Sequence, residues 1–316
     1  MIKQVIIDKG IPFLDNVFPP EIEVLHLSPE DITPETVRHA DALFVRTRTN
    51  IHAELLENSK VRFVATATIG FDHIDQDYCA EKGISWTSCP GCNAQAVCDY
   101  VEEAISTLKP EKTVLTIGVV GYGNVGKLVA RMAENKGHRV ILCDPPLGIG
   151  VSLSELAPQC DVITFHTPLT REGDHPTYHL CNQEVLGLCK QDALIINAAR
   201  GGVIDEQALL SCLSSRRLLT AIDCWEEEPN VNRELLQKVD LASYHIAGYS
   251  IQGKMNASEM CLRAFCDFFS LPILSINKKI VPLQGDSDTG WLQRISNQLK
   301  ARPEAFEQLR KQYKLR

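Results

Sequence analysis

A turn of three glycines, Gly121-Tyr-Gly123-Asn-Val-Gly126, constrains this chain more than any other feature. It follows the apolar run Leu115-Thr-Ile-Gly-Val-Val120 and leads into Val125-Gly-Lys-Leu-Val-Ala-Arg-Met-Ala, which has helical spacing. Strand, glycine turn and helix in that order form a phosphate cradle. Gly121 permits the tight turn, Gly123 lets a pyrophosphate approach the backbone, and Gly126 lets helix and strand pack closely. Exposed amides at the helix start, Asn124 and Val125, favour negative charge. Alone, the motif is a weak signal. Here Asp144 ends the next strand, 18 residues past Gly126. A carboxylate there can accept hydrogen bonds from an adenosine ribose and would repel a 2′-phosphate. The combination predicts a domain that takes NAD rather than NADP.

The rest of the chain repeats strand and helix. Val5-Ile6-Ile7, Val24-Leu25, Ala42-Leu43-Phe44-Val45 and Phe63-Val64-Ala65-Thr66 are short apolar runs between polar, helix-compatible stretches. Further strands are predicted over 115–120, 139–143, 161–165, 193–197, 219–223 and 241–244, with helices over 125–135 and 205–213. Apolar strands alternating with helices predict parallel sheets covered on both faces. Helical spacing over 95–105 and 255–269 predicts one helix leaving the first domain and one returning to it. The expected fold class is α/β, with two doubly wound parallel-sheet domains. These span 1–92 with 253–275, a flavodoxin-like domain, and 93–252, a Rossmann-type NAD-binding domain, followed by a C-terminal segment (276–316).

Three segments downstream of the glycine turn carry candidate chemistry: Asn197-Ala-Ala-Arg200-Gly-Gly, Asp223-Cys-Trp-Glu-Glu-Glu228-Pro and His245-Ile-Ala-Gly-Tyr249. Arginine can hold a carboxylate through two parallel hydrogen bonds. Histidine can move a proton near neutral pH, and a carboxylate beside it sets its charge state. Arg200 and His245 each close a predicted strand, and ligands sit at strand carboxyl ends in doubly wound sheets. Glu228 lies in an acidic loop, and such loops are commonly just solvated. Together the three point to an oxidoreductase acting on an anionic substrate.

Composition excludes other classes. A formal net charge of −8 argues against nucleic acid as partner, since a polyanion needs a basic surface. No apolar run approaches the roughly 20 residues of a membrane helix. The start, Met1-Ile-Lys-Gln-Val-Ile-Ile-Asp8, is too soon interrupted by charge for a secretory signal. Twelve cysteines in such a chain are expected to be reduced thiols in the cytoplasm. Cys89-Pro-Gly-Cys92 has the spacing of a redox pair, but it lacks a thioredoxin-like setting and is taken as incidental. No second pair completes a zinc site, so no metal is expected. From Arg294 to Arg316 seven Lys or Arg face two Glu, reversing the sign of the whole chain. Pro303 suits a first helical turn, and Phe306, Leu309 and Tyr313 share a helical stripe. That stripe belongs either to a solvated terminal helix or to an arm that packs on a second subunit.

From the N-terminus to about Phe269 the chain resembles the D-isomer-specific 2-hydroxyacid dehydrogenases. The resemblance rests on the glycine turn with Asp144, Ala199-Arg200-Gly201, Asp223 with Glu228-Pro229, and His245. More specific strings are Ala65-Thr-Ala-Thr-Ile-Gly-Phe-Asp-His73, Pro90-Gly-Cys-Asn-Ala94, Leu142-Cys-Asp-Pro-Pro146, Thr164-Phe-His-Thr-Pro168 and His245-Ile-Ala-Gly-Tyr-Ser250. The resemblance implies NAD-dependent hydride transfer at C2 of a 2-hydroxy acid. It implies that Arg200 clamps the substrate carboxylate, His245 exchanges the hydroxyl proton, and Glu228 orients the imidazole. It implies nucleotide contacts at Gly121, Gly123, Asn124, Val125, Gly126, Asp144, Thr167, Ala198, Asp223 and Gly248. Substrate contacts are implied at Thr47, where some relatives have serine, Thr68 and Tyr249. The charges of Val45-Arg46-Thr47-Arg48-Thr49 offer a second cationic region through Arg46 and Arg48, which read equally as surface charges. Within the family the strings point to a branch that acts on a small phosphorylated 2-hydroxy acid and forms homodimers, with the C-terminal part much shortened here. Two alternatives stay open: a relative acting on phosphoglycerate or an unphosphorylated acid, and an NAD-sensing binding protein on the same fold.

Overall fold

The computed structural model describes residues 2–110, 114–215, 217–276 and 290–315. Among these, residues 2–93 and 250–276 form one unit, and residues 94–249 and 290–315 form another. Of the C-terminal segment expected from 276 onward, residues 277–289 lie outside the described residues.

Five parallel strands build the first unit: β1 (Gln4–Asp8), β2 (Glu23–Leu27), β3 (Ala42–Val45), β4 (Phe63–Thr66) and β5 (Ser85–Thr87). Their order is β2-β1-β3-β4-β5, the doubly wound arrangement of flavodoxin-like sheets. Every residue of β3 and β4 is buried, which their unbroken apolar runs require. The helix Ile251–Phe269 belongs to this unit and sets Phe265 against Phe44 and Phe63, with ring centroids 5.5 and 6.2 Å apart. Ser250 caps it, its hydroxyl accepting from the Gly253 amide at 2.9 Å. Cys89 packs into the same core with its sulfur 3.4 Å from that of Cys261, and burial pushes the Cys92 thiol up to about 12. All twelve cysteines are free and buried.

The second unit is a seven-stranded sheet. Its strands are β6 (Thr116–Val120), β7 (Arg139–Asp144), β8 (Ile149–Gly150), β9 (Val162–Phe165), β10 (Leu194–Asn197), β11 (Leu219–Ile222) and β12 (Leu241–Ala242). They lie in the order β12-β11-β10-β9-β6-β7-β8, with β8 antiparallel to β7. The chain direction across the sheet reverses between β6 and β9, so the crevice at their carboxyl ends is the switch point where doubly wound sheets bind ligands. All six predicted strands here form, several a residue or two shorter. Unforeseen are β5 and β8, both half-exposed and at sheet edges, where no continuous apolar run is needed.

Gly126 is the packing hinge of the cofactor turn. A Cβ built there would stand 1.9 Å from the Gly121 carbonyl oxygen and 3.3 Å from a Val119 methyl. Only the absence of a side chain lets the helix Asn124–Asn135 descend directly from the turn.

The apolar stripe of the C-terminal segment packs on its own unit. The helices Trp291–Ala301 and Phe306–Gln312 pack into the second unit's own core, with Leu292, Leu299 and Phe306 fully buried and Leu309 nearly so. Pro303 does open a single 3-10 turn between them. Apolar surface that covers its own domain is not left for solvent or for a partner.

Gly126→Ala should force the turn apart. Overpacking of this kind costs about 1–3 kcal/mol, read as a lowered thermal midpoint together with weakened NAD binding in calorimetry.

Candidate active site

Three strand ends of the second unit converge on one turn. Asp223, just past β11, has no exposed surface. Its carboxylate accepts from the Ser243 hydroxyl at 2.6 Å and from the Ile246 and Ala247 amides at 2.8 and 2.9 Å. The His245 amide donates to the Asp223 carbonyl at 3.0 Å. So gripped, His245 takes a left-handed φ of 58°, uncommon for a residue with a side chain. Its Nδ1 meets both Glu228 oxygens, at 2.8 and 3.1 Å. Glu228 in turn accepts from the Trp225 amide at 3.0 Å. Against an ionised Glu228, Nδ1 carries the proton it donates, which leaves Nε2 as the nitrogen to act as base or acid.

Arg200 lies in the turn after β10. Asn197 shapes that turn, its side-chain amide donating to the carbonyls of Arg200 at 3.0 Å and Cys224 at 3.3 Å. A Cβ at Gly201 would fall 1.8 Å from the Trp225 carbonyl oxygen, so glycine lets the Arg200 turn lie against the segment that carries Glu228. The guanidinium is half-buried, donates to the Ala199 carbonyl at 2.8 Å, and has no ion pair among the described residues.

The glycine turn fits a dinucleotide. No side chain caps the helix Asn124–Asn135, and nothing lies within 4 Å of a Cβ built on Gly123. With no side chain capping the helix, the Asn124 and Val125 amides are among the donors that a pyrophosphate at this turn would take up. Thr167, beside Gly121, has a buried hydroxyl with no hydrogen-bond partner. Asp144 ends β7 and accepts from the Tyr122 amide at 2.6 Å, which fixes its carboxylate at the mouth of the turn. Ala198 closes β10 nearly buried, and Gly248 sits half-buried one residue past the Asp223 clamp. Asp223, expected to touch the nucleotide, has its carboxylate on Ser243 and the 246–247 amides.

In the first unit the expected substrate residues follow β3 and β4. Thr47 and Arg48 are exposed. Arg46 is not a bare surface charge: it makes a two-pronged bond to the fully buried Asp8, at 2.9 and 2.8 Å. Thr68 donates to the Gly70 carbonyl at 2.9 Å and lies 2.7 Å from the Thr66 hydroxyl, which His73 Nε2 meets at 3.0 Å. Lys254, overlooked in the sequence, is also half-buried in this unit, and burial first and the Arg46 charge second push its ammonium pKa down.

The profile of the D-isomer specific 2-hydroxyacid dehydrogenase NAD binding domain matches residues 99–247. The erythronate-4-phosphate dehydrogenase of Bacteroides fragilis is 43% identical over 335 aligned positions, covering 99% of this chain and 96% of that protein. That of Marinobacter nauticus is 44% identical, covering 85% and 73%. The chain belongs to the D-isomer specific 2-hydroxyacid dehydrogenases. In fold it is also like the NAD+-bound 3-phosphoglycerate dehydrogenase of Entamoeba histolytica, with a TM-score of 0.70 at 24% identity over 88% of this chain and 99% of that one.

A proton-exchanging imidazole changes charge, and the surroundings of His245 set where that happens. The Cys224 sulfur beside the ring, and then the Glu228 carboxylate, raise the His245 pKa well above its ordinary value against the opposing effect of burial. Burial works to raise Glu228, but the His245 hydrogen bond and charge, the Trp225 amide and Arg310 outweigh it and hold the carboxyl below its usual range. Asn197, Ser243, Trp225 and Arg310 were not singled out in the sequence. Asn197 and Ser243 are polar groups inside apolar strings, a pattern that signals buried hydrogen bonding without naming the partner.

The pH dependence follows from these directions. Oxidation needs the unprotonated ring, so kcat/KM for oxidation should rise with pH along a limb lying above the ordinary histidine value of about 6.5. Reduction needs the protonated ring and should fall through the same limb. Glu228→Gln removes charge that favours imidazolium, so the oxidation limb should move to lower pH while kcat falls. A pH–rate profile in which the limb stays put would show that Glu228 does not set the ring's charge.

Proposed function

We infer that the chain is an NAD-dependent erythronate-4-phosphate dehydrogenase. It oxidises 4-phospho-D-erythronate to (R)-3-hydroxy-2-oxo-4-phosphobutanoate, a step of pyridoxal 5′-phosphate biosynthesis. The observation that carries this reading is near-complete coverage of relatives with that activity at 43% identity, in a chain whose His245 and Glu228 stand 2.8 Å apart. When bound, NAD accepts a hydride from C2.

The chain's own residues prepare the rest. Arg200 holds the substrate carboxylate in a two-pronged bond and steadies negative charge on the C2 oxygen as its carbonyl forms. His245 Nε2 takes the hydroxyl proton, and Glu228 steadies the imidazolium that results. Asp223 acts through the turn it holds, presenting Ile246 to Gly248 at the nicotinamide end. Asp144 selects the unphosphorylated ribose, while Thr167, Ala198 and the amides of Asn124 and Val125 complete the nucleotide contacts around Gly121, Gly123 and Gly126. Thr47, Thr68 and Tyr249 hydrogen-bond the substrate, with Arg46 and Arg48 supplying cations.

The same reading makes residues 1–92 and 253–275 the substrate-binding domain and 93–252 the NAD-binding domain. It places the enzyme in the cytoplasm, supported by the twelve free cysteines. A homodimer completes it, on the resemblance alone. Residues 276–316 are the proposed dimerisation segment, through surface other than the internally packed Phe306 and Leu309, and sedimentation equilibrium checks the stoichiometry.

His245→Gln should fold and bind NAD while turnover drops ~10²–10⁴-fold. Near-normal turnover in that variant overturns the assignment. Assayed side by side, 4-phosphoerythronate should outperform 3-phosphoglycerate and unphosphorylated acids in kcat/KM. The wild type should prefer NAD, and Asp144→Ala should erode that preference. Equal use of NADP by the wild type would refute the role given to Asp144.

A further inference from the structure

We propose that His73 is a positioning residue that acts through Thr66 to fix the hydroxyl of Thr68 as an acceptor for the C3 hydroxyl of the substrate. This rests on the reading above for the identity of the substrate and for Thr68 as one of its contacts.

Three side chains at the end of β4 share their protons in a row. Thr68 lies 2.9 Å from the Gly70 carbonyl, and a carbonyl oxygen only accepts, so the single hydroxyl proton of Thr68 goes there. The Thr66 hydroxyl, 2.7 Å from that of Thr68, must then give its own proton to Thr68. With that proton committed, Thr66 can only accept from His73 Nε2 at 3.0 Å. Nε2 therefore carries a hydrogen. Each step leaves the next no choice, because a hydroxyl has one proton to give.

The ring agrees with that direction. Among the described residues His73 Nδ1 is buried with no hydrogen-bond partner, which suits a bare lone pair better than an N–H. Burial pushes the His73 pKa down, against the charge of Asp72, so near neutral pH the ring is uncharged and the Nε2–H tautomer feeds Thr66. Both ends of the row are held by backbone. The Ile51 amide donates to the His73 carbonyl at 2.8 Å and the Cys89 amide to the Thr68 carbonyl at 2.9 Å. Thr66 has no exposed surface, whereas Thr68 is only half-buried and its oxygen can meet a ligand.

What remains on Thr68 decides what it can read. A hydroxyl oxygen accepts twice. One lone pair takes the Thr66 proton, and the other is left for a ligand group that brings a hydrogen of its own. An ionised carboxylate or phosphate oxygen brings none, and would meet lone pair with lone pair. 4-Phosphoerythronate carries one hydroxyl on C2 and one on C3, and the C2 hydroxyl gives its proton to His245. Thr68 is thus matched to the C3 hydroxyl, which 3-phosphoglycerate lacks. The row separates two phosphorylated acids by a hydroxyl rather than by charge.

The test has two arms on the full-length enzyme. Nitrogen NMR of labelled histidine rings, with the His73 signal assigned by its loss in His73→Gln, should show a protonated Nε2 and a bare Nδ1. The opposite tautomer overturns the proposal whatever the substrate is. Kinetics with NAD then compare 4-phosphoerythronate with 2-hydroxy-4-phosphobutanoate, its analogue without the C3 hydroxyl. The wild type should favour the first in kcat/KM by about 3- to 10-fold, the range for one neutral hydrogen bond, with the difference carried by KM. His73→Phe removes the donor and should bring the two acids close to parity. His73→Gln, whose side-chain amide can donate to Thr66 in place of Nε2, should restore the preference. Thr68→Val should abolish it, and carries the test if His73→Phe has a collapsed thermal midpoint. A wild type indifferent to the C3 hydroxyl, a preference unmoved by these substitutions, or equal losses on both acids would each overturn the proposal, the last because His73 would then only shape its loop. A wild type that neither binds nor oxidises 4-phosphoerythronate sinks the functional reading and the C3 assignment with it, and that is seen before any variant is made.

Discussion

A carboxylate with no access to water holds the catalytic turn together. Taking an ionised carboxylate out of solvent costs several kcal/mol, and Asp223 tolerates it only because donors converge on it. The Ser243 hydroxyl gives its proton to Asp223, so the Tyr100 hydroxyl, 2.9 Å away, must give its own to Ser243. Tyr100 and Ser243 are themselves fully buried, which leaves this chain one consistent direction. The two amides on the carboxylate are those immediately after His245. The left-handed backbone of His245 is therefore not an isolated oddity; the strain is stored where both flanks are clamped. The Trp225 indole closes the circuit by donating to the Ser243 carbonyl at 2.9 Å, while its own amide holds Glu228. One buried network thus sets both members of the proton-transfer pair.

Central strands were legible because burial on two faces forces an unbroken apolar run. Phe63-Val64-Ala65-Thr66 and Ala42-Leu43-Phe44-Val45 were read to the residue for that reason. Ser85-Trp-Thr87, exposed on one side, carries no such mark. Arg200, Glu228 and His245 were legible as a set, through motif spacing rather than through any property of one residue. Asp223 shows the limit of that reasoning. The spacing marks it as important, but whether a carboxylate faces a ligand or its own backbone depends on distances that chain order does not encode.

The acidic loop makes the same point within three consecutive residues. Glu227 is exposed to solvent. Glu226 turns to His179 at 3.0 Å, and at the start of the helix Glu206–Ser215 the amides of Glu206 and Glu226 each donate to the other's carboxylate. Burial first, and then the crowd of Glu226, Glu227 and Glu228, push the Glu206 carboxyl up to about 7. Glu228 alone reaches His245. An acidic run reads in sequence as one solvated patch, yet the turn around Trp225 sends each carboxylate to a different neighbour. The net charge of −8 is in the same way silent about the cationic groups that meet a small anion.

The C-terminal segment is best understood from the strand it covers. β12 has two residues and ends the sheet, and an edge so short has little to keep it in register. No further strand pairs beyond it; the helix Trp291–Ala301 lies there instead. The Ser296 hydroxyl accepts from the Ala242 amide at 3.0 Å, supplying the acceptor that a neighbouring strand would have provided. Lys300 donates to the Val239 and Asp240 carbonyls, where the helix Arg233–Lys238 ends and its dipole favours a cation. Trp291 sets its ring 6.0 Å from Tyr100, the last member of the hydroxyl chain that supports Asp223. Because β12 runs directly into Ser243 and His245, whatever steadies that edge steadies the catalytic turn. The segment expected to serve assembly also supports the edge from which the His245 turn departs.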